Sequence, residues 1–360
     1  AIAAMQKNAT PKVLIVDVSG EEQPLTALGD LSNVVEPDVC VLVIGEINHV
    51  DFYREVTRGL GAADYLAKPL TRDTVARHFV PFMRGHGPAT QGVLGGRAIA
   101  VTGVRGGVGT TTVAVNLAWN FGVWMRRHTV LLDPDIHLGS AAFLLNIQPG
   151  SGLRMALEAP ERIDSLLAER AAQPAADRLH VLGGEEKLAV QTNPAPGAAG
   201  SLLAALRRRY NFIVADVPFR PMPFNRELLD QVDQRVLVME PTLAAVRDTL
   251  RLLALPAGPE QSQRAIIVLN RVGVAGGLTR RQVEDALKMK VDVAIPDLPR
   301  QVGNAATLGE PAMASSSSFR SGILELARQV AFVRLLDAAP GSNPALQGRS
   351  RRWNPFRRRS

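Results

Sequence analysis

Apolar residues in this chain fall in short continuous runs that alternate with segments of helical period, the pattern of parallel strands buried on both faces. Residues 12–16 (Lys-Val-Leu-Ile-Val) run into Asp17, and the run 39–44 ends at Gly45. A helix-like stretch over 25–31 separates them. A second helix is expected over 51–59, then a short strand, Asp64-Tyr-Leu-Ala, that stops at Lys68-Pro69. Such βαβ alternation predicts a parallel sheet. Residues 81–97 are rich in Gly and Pro, lack periodicity, and read as a linker between a unit over 1–80 and a second over 98–337.

The second unit opens on a buried-strand run at 98–104, followed by a Gly-rich turn and a helix over 111–126. Further strands are expected at 129–132, 179–182, 212–215, 236–239 and 265–269. Helices are expected near 161–172, 201–209, 226–231, 243–254, 279–288 and 322–336, with 190–200 and 256–264 as loops. From 338 onward Pro, Gly, Ser and Arg dominate, and disorder is expected.

Composition sharpens this picture in three places. A length of 360 residues suits two domains, and 46% hydrophobic content suits an ordinary α/β protein. No apolar stretch approaches bilayer length, no signal-peptide pattern is visible, and Cys40 is the single cysteine, so a cytoplasmic protein is expected. The net charge of +7 belongs to a tail: 349–360 holds six arginines and no acid, leaving 35 basic against 34 acidic residues elsewhere. A near-neutral body argues against a broad nucleic-acid-binding face, and no nucleic-acid partner is expected.

The chemistry concentrates in Val-Thr-Gly-Val-Arg105-Gly106-Gly107-Val108-Gly109-Thr110-Thr111-Thr112. It stands after a buried strand and before a helix. Glycines let successive N–H groups curl toward a phosphate, and the helix terminus adds its dipole. Thr111 occupies the Mg²⁺-ligand hydroxyl position of the G-x-x-x-x-G-K-[ST] pattern. Two further segments end in carboxylates: Val-Leu-Leu-Asp133-Pro-Asp135, and Tyr-Asn-Phe-Ile-Val-Ala-Asp216-Val-Pro218, which has the form of a Walker B strand. Ligands of open parallel sheets bind beyond the carboxyl ends of strands, so loop and aspartates should converge on one edge. A Gly-rich corner used for close packing, with each Asp a helix cap, is the plainer alternative.

These segments resemble the MinD/ParA superfamily of dimerising ATPases, and within it the TadZ/CpaE proteins of Tad (Flp) pilus assembly. The likeness extends over nearly the whole chain, through Asp64-Tyr-Leu-Ala-Lys68-Pro69, Leu-Leu-Asp133-Pro-Asp135-Ile-His-Leu-Gly, Val-Leu-Val-Met-Glu240-Pro-Thr-Leu-Ala and Val-Leu-Asn270-Arg271-Val. It implies a parallel-sheet P-loop NTPase fold preceded by a partial, atypical receiver-like α/β domain. It implies ATP and Mg²⁺ as cofactors, with 105–112, Asn270, Arg271 and Pro296 around the nucleotide. By this likeness Thr111 binds the metal directly, Asp133 and Asp216 bind it through water, Asp135 orients the attacking water, and Asn270 reads adenine, flanked by a loop after Pro296. A homodimer with nucleotide between its subunits is implied. So are Tad partners, the secretion ATPase and inner-membrane platform, and a cytoplasmic, membrane-peripheral location such as the cell pole.

Departures matter too. Arg105 replaces the lysine that crosses to the partner's phosphates, and Thr110 replaces the P-loop lysine, so hydrolysis should be slow. In the first unit Asp17 and Lys68-Pro69 match a receiver's phosphoacceptor and lysine, but the acidic pair for Mg²⁺ and its strand have no counterpart among the residues before Asp17. Phosphorylation is therefore not expected there, and a protein-interaction module is. The alternatives are a ParA-type partition ATPase, a nucleotide-free scaffold with a vestigial loop, and a response regulator. The tail, with Trp353 and Phe356 among its arginines, is expected to bind an anionic membrane surface or an acidic partner patch.

Overall fold

The computed structural model describes residues 11–32, 35, 39–83, 96–163, 170–218, 220, 222–259, 261 and 264–330. The Arg-rich tail and most of the expected linker lie outside them, as does the middle of the helix expected at 161–172.

Two sheets form. Strands β1 (Val13–Asp17), β2 (Cys40–Gly45) and β3 (Asp64–Ala67) make a small parallel sheet in that order. The remaining strands are β4 (Arg97–Gly103), β5 (Thr129–Leu132), β6 (Gln173–Ala176), β7 (Leu179–Leu182), β8 (Phe212–Val217), β9 (Gln234–Met239), β10 (Ile266–Val272) and β11 (Val293–Pro296). They make one sheet in the order β11-β10-β9-β4-β8-β5-β7-β6, parallel except for β6 against β7. The fold is therefore α/β with a parallel-dominated sheet.

Burial explains why β4 reads as an unbroken apolar run. Ile99 and Val101 join a core with Val113, Leu117, Phe319 and Ile323, while Ala98 and Ala100 join the opposite core with Leu202, Leu206 and Leu228. A strand with helices on both faces has no polar side to show. Phe121 and Phe212 stack at 4.1 Å between centroids in the first core. Phe121 is fully buried, which contributes about 1.5–3 kcal/mol of transfer free energy, and Phe212 is partly so.

The structure corrects several expectations. The helix expected over 111–126 is α-helical only over Thr110–Trp119, continues as a π-turn over Asn120–Trp124, and ends there, with Met125 as its cap and Arg126 beyond it at φ +52°. The edge strand β6, the short strand β11 and a helix at Leu153–Glu158 were not anticipated. Pro174 confines β6 to the sheet edge, where a missing N–H is tolerated, and its presence hides the strand from a pattern reading. The segment after Pro296 is not a loop: Asp297 and Leu298 lead into a helix over Pro299–Leu308, started by Pro299, whose ring fixes φ at a helical value. In the first unit, helical structure continues past residue 80, through Val80–Met83. Among the described residues no helix is long and apolar enough to cross a membrane.

Candidate nucleotide-binding site

Strand β4 is flanked by β8 and β9, while its sequence successor β5 lies one strand further out, beyond β8. The chain thus departs on both sides of β4, the arrangement in which open parallel sheets bind ligands beyond their strands' carboxyl ends. Residues 104–109 fill the turn from β4 into helix Thr110–Trp119.

That turn is shaped by its glycines. Gly107 and Gly109 take φ +81° and +91°. A Cβ on Gly109 would lie 2.5 Å from Asn270 Nδ2, and one on Gly103 would collide with the Thr110 hydroxyl. Val108 is buried and plugs the base of the loop, while Gly106 and Gly107 face open space. The helix N-cap is Gly109, so no side chain caps the first turn. Helices Leu243–Leu253 and Arg280–Leu287, by contrast, are capped by Thr242 and Thr279. The unclaimed first-turn N–H groups of Thr110–Trp119 are donors for an anion. Gly109→Ala should cost roughly 1–2 kcal/mol for the left-handed backbone and displace Asn270 as well. Calorimetry of the variant should show loss of triphosphate binding with the fold retained by circular dichroism.

The carboxylates converge as anticipated. Asp133 follows β5 and is 4% exposed. Its Oδ1 accepts from Asp135 N at 3.2 Å and its Oδ2 from Ala141 N at 3.0 Å, so the following segment wraps around it. Gly139 permits this wrap: a Cβ there would lie 2.5 Å from Asp133 Oδ2. Burial, aided by the charge of Asp135, raises the Asp133 carboxyl to about 6 against the pull of these N–H groups. Asp216, on β8, is pushed up to about 7 by burial and by the charge of Asp133, although the Thr111 hydroxyl hydrogen-bonds it. Asp135 Oδ1 accepts from the N–H groups of His137 and Leu138, and its Oδ2 from Arg220 at 2.9 Å.

Two buried carboxylates raised toward neutrality form a site short of positive charge. The available donors, a threonine hydroxyl and carboxylate oxygens, are hard oxygen ligands of the kind Mg²⁺ prefers. The residues therefore fit Mg-nucleotide.

The remaining expected residues are placed as follows. Arg105 is exposed at the loop's mouth, and its Nη1 donates to Asp248 at 2.6 Å. Asp248 also pairs with Arg247 and Arg251, and Arg247 first, then Arg105, hold its carboxyl below the ordinary range. Asn270 is buried and donates Nδ2 to Val108 O at 2.8 Å, tying β10 to the phosphate loop. Arg271 takes φ +56° and lies 3.6 Å from Glu240. Pro296 ends β11. Thr112 O accepts from Asn116 Nδ2, and Asn116 Oδ1 accepts from Met313 N. Asp248, Gly139 and Arg220 were not singled out from the sequence. Arg220 had a signal, a cation four residues beyond a strand-end aspartate on the ligand edge; Asp248 had none, since only the fold brings its helix beside the loop.

In the small sheet, Lys68 Nζ donates to Asp17 Oδ2 at 2.7 Å, and Ser19 N to Asp17 Oδ1 at 2.9 Å. The Lys68 bond, then those from Ser19, hold the Asp17 carboxyl down at about 2. Lys68-Pro69 is a cis peptide.

Comparison with known proteins finds relatives of the second unit. The family model for cellulose biosynthesis protein BcsQ matches residues 97–281. Septum site-determining protein MinD of Bacillus subtilis is 24% identical over 189 residues, covering 49% of this chain and 65% of that protein. BcsQ of Salmonella typhimurium is 26% identical over 164 residues, covering 44% and 65%. The chain thus spans just under two thirds of either relative. Among solved structures, a ParA family ATPase from Chlorobium tepidum superposes with a TM-score of 0.57 at 20% identity, over 64% of this chain and 97% of that one. MinD of Pyrococcus horikoshii, solved with Mg-ADP, gives 0.56 at 21% identity, over 65% and 95%. These likenesses establish a fold shared with MinD and ParA proteins, and with the family model spanning more than half of its length, the chain belongs to the BcsQ family.

Proposed function

We propose that this chain binds Mg-ATP, dimerises in response, and serves as a localisation factor in Tad (Flp) pilus assembly with slow hydrolysis. The observation that carries the nucleotide reading is the uncapped, glycine-led helix whose Thr111 hydroxyl hydrogen-bonds the buried Asp216. Structural neighbours solved with Mg-ADP and with ATP support it.

The loop N–H groups of 106–112 would cradle the phosphates, and Asn270 and Arg271 would face the base. Thr111 would ligate Mg²⁺ directly, and Asp133 and Asp216 would hold its waters. When bound, the ion supplies positive charge to the phosphate oxygens. Asp135, fixed through Oδ1 by two N–H groups, would align the attacking water. Thr110 offers no cation at the position where lysine commonly contacts the transferring group, which keeps turnover slow. Arg105 would cross to the partner's phosphates. The pilus assignment rests on Glu240-Pro-Thr-Leu-Ala together with the Asp17 and Lys68-Pro69 unit, which would dock the secretion ATPase or membrane platform. The near-neutral body disfavours DNA retention. A role in cellulose production, the process named for the matching family, is the second reading, favoured by the 97–281 match.

Calorimetry of the full chain with ATP, with and without Mg²⁺, followed by sizing, tests the biochemical part. Micromolar Mg-ATP binding and a doubled mass are expected, and Thr111→Ala should weaken the Mg-dependent part about tenfold or more. No affinity at millimolar nucleotide would leave a scaffold with a vestigial loop. Loss of pili with cellulose intact in a deletion strain separates the two cellular readings.

A further inference from the structure

The cations around this site are unevenly employed. Thr110 is neutral where the loop would otherwise present an ammonium. Arg105 is occupied by Asp248, which lies outside the carboxylate cluster. Within the cluster itself stand Asp133, Asp135 and Asp216, and the arginine reaching into it is Arg220.

Arg220 is set up to reach a phosphate. It lies four residues beyond Asp216, on the segment leaving β8, and its side chain is 49% exposed. One Nη2 bond reaches Asp135 Oδ2 at 2.9 Å. A guanidinium carries five N–H donors in a rigid fork, so this bond leaves donors for an anion beside it. Asp135 does not depend on Arg220 for its place, because its other oxygen is held by the His137 and Leu138 N–H groups. Arg220 can therefore keep Asp135 or turn toward an incoming anion without unseating that carboxylate.

We propose that Arg220 contacts the terminal phosphate of the bound nucleoside triphosphate in cis, supplying at the Asp135 side of the site the positive charge that Thr110 does not. This rests on the nucleotide reading above and adds a specificity determinant to it: Arg220 makes the site prefer triphosphate over diphosphate. ADP lacks the group that Arg220 addresses, so the residue should be nearly silent toward it.

The test is calorimetry of the full chain with Mg-ATPγS and with Mg-ADP, for wild type, Arg220→Ala and Arg220→Lys. Arg220→Ala is expected to lose about tenfold or more in ATPγS affinity while ADP affinity stays within about twofold, a charge-assisted contact removed at one phosphate. Arg220→Lys, which keeps the charge but not the fork, should fall between. Thermal melts of the nucleotide-free variants should match wild type, since the residue is half exposed on a connecting segment. Equal losses for both nucleotides, or none for either, would overturn the assignment while leaving nucleotide binding intact. A wild-type chain that binds neither nucleotide would sink both the assignment and the reading beneath it.

Discussion

Asp216→Asn is expected to stabilise the nucleotide-free protein at pH 8 by on the order of 2–4 kcal/mol and to remove Mg-dependent ATP binding. Burial and the Asp133 charge raise this carboxyl to about 7 from an ordinary 3.8. Between those values the native chain holds a proton that the unfolded chain has released. The favourable contribution is complete below 3.8 and lost as pH rises through about 7. At pH 8 the native state carries a buried carboxylate without its metal; asparagine has the same shape, no charge, and still accepts from Thr111. At pH 5 the native carboxyl is still neutral while the unfolded one has ionised, so the variant should already melt higher, but by well under half of its margin at pH 8. For a domain of this size 1 kcal/mol corresponds to roughly 2–4 °C in Tm. His128, held down at about 4 chiefly by burial, opposes this trend below pH 6.5, but it is common to both proteins and cancels in their difference. Thermal melts at pH 5 and pH 8 decide the matter, and an equal Tm difference at the two would refute the account. Mg²⁺ needs the same carboxylates ionised, so its binding should strengthen between pH 6 and pH 8.

A second large effect is expected at the loop's mouth. If Arg105 crosses to a partner's phosphates, Arg105→Ala should abolish ATP-dependent dimers in sizing experiments while leaving monomer nucleotide binding within a few-fold. Asp248→Ala should do the reverse. Arg105 is 42% exposed, so its pair with Asp248 is screened by solvent and weak. A dimer must break two such pairs, and releasing both should tighten dimerisation by roughly five- to thirty-fold. Sedimentation of both variants against ATP concentration checks this. Weaker dimers from Asp248→Ala would show that the aspartate belongs to the assembled interface and does not restrain Arg105.

Much of this site could be read along the chain, because local rules govern its parts. Buried strands announce themselves as apolar runs, and β4, β5, β8 and β9 were placed to within a few residues. The glycines of the loop and the strand-end positions of Asp133, Asp135 and Asp216 follow from spacing alone. What escaped reading was set by tertiary contacts. Nothing near Asp248 says that its helix packs beside Arg105. Nothing near Asn270 says that its amide will bond Val108, 162 positions earlier. Strand β11 has four residues and ends in proline, too short for periodicity to register, and the segment after it, a loop by family likeness, is a helix in this chain.

The tie from Thr112 through Asn116 to Met313 has a consequence for how the protein is made. Asn116 and Met313 stand 197 positions apart, and the helix over Ser318–Val330 packs on the helix that begins the phosphate site. On a ribosome adding about 5–20 residues per second, roughly 10–40 s pass between emergence of the first partner and of the second. Through that interval Val113, Leu117 and Phe121 lack part of their final cover. The nascent chain carries its phosphate-loop helix half-dressed until after the whole second sheet has been synthesised, and a ribosome that stalls before Met313 leaves that helix without its last partner.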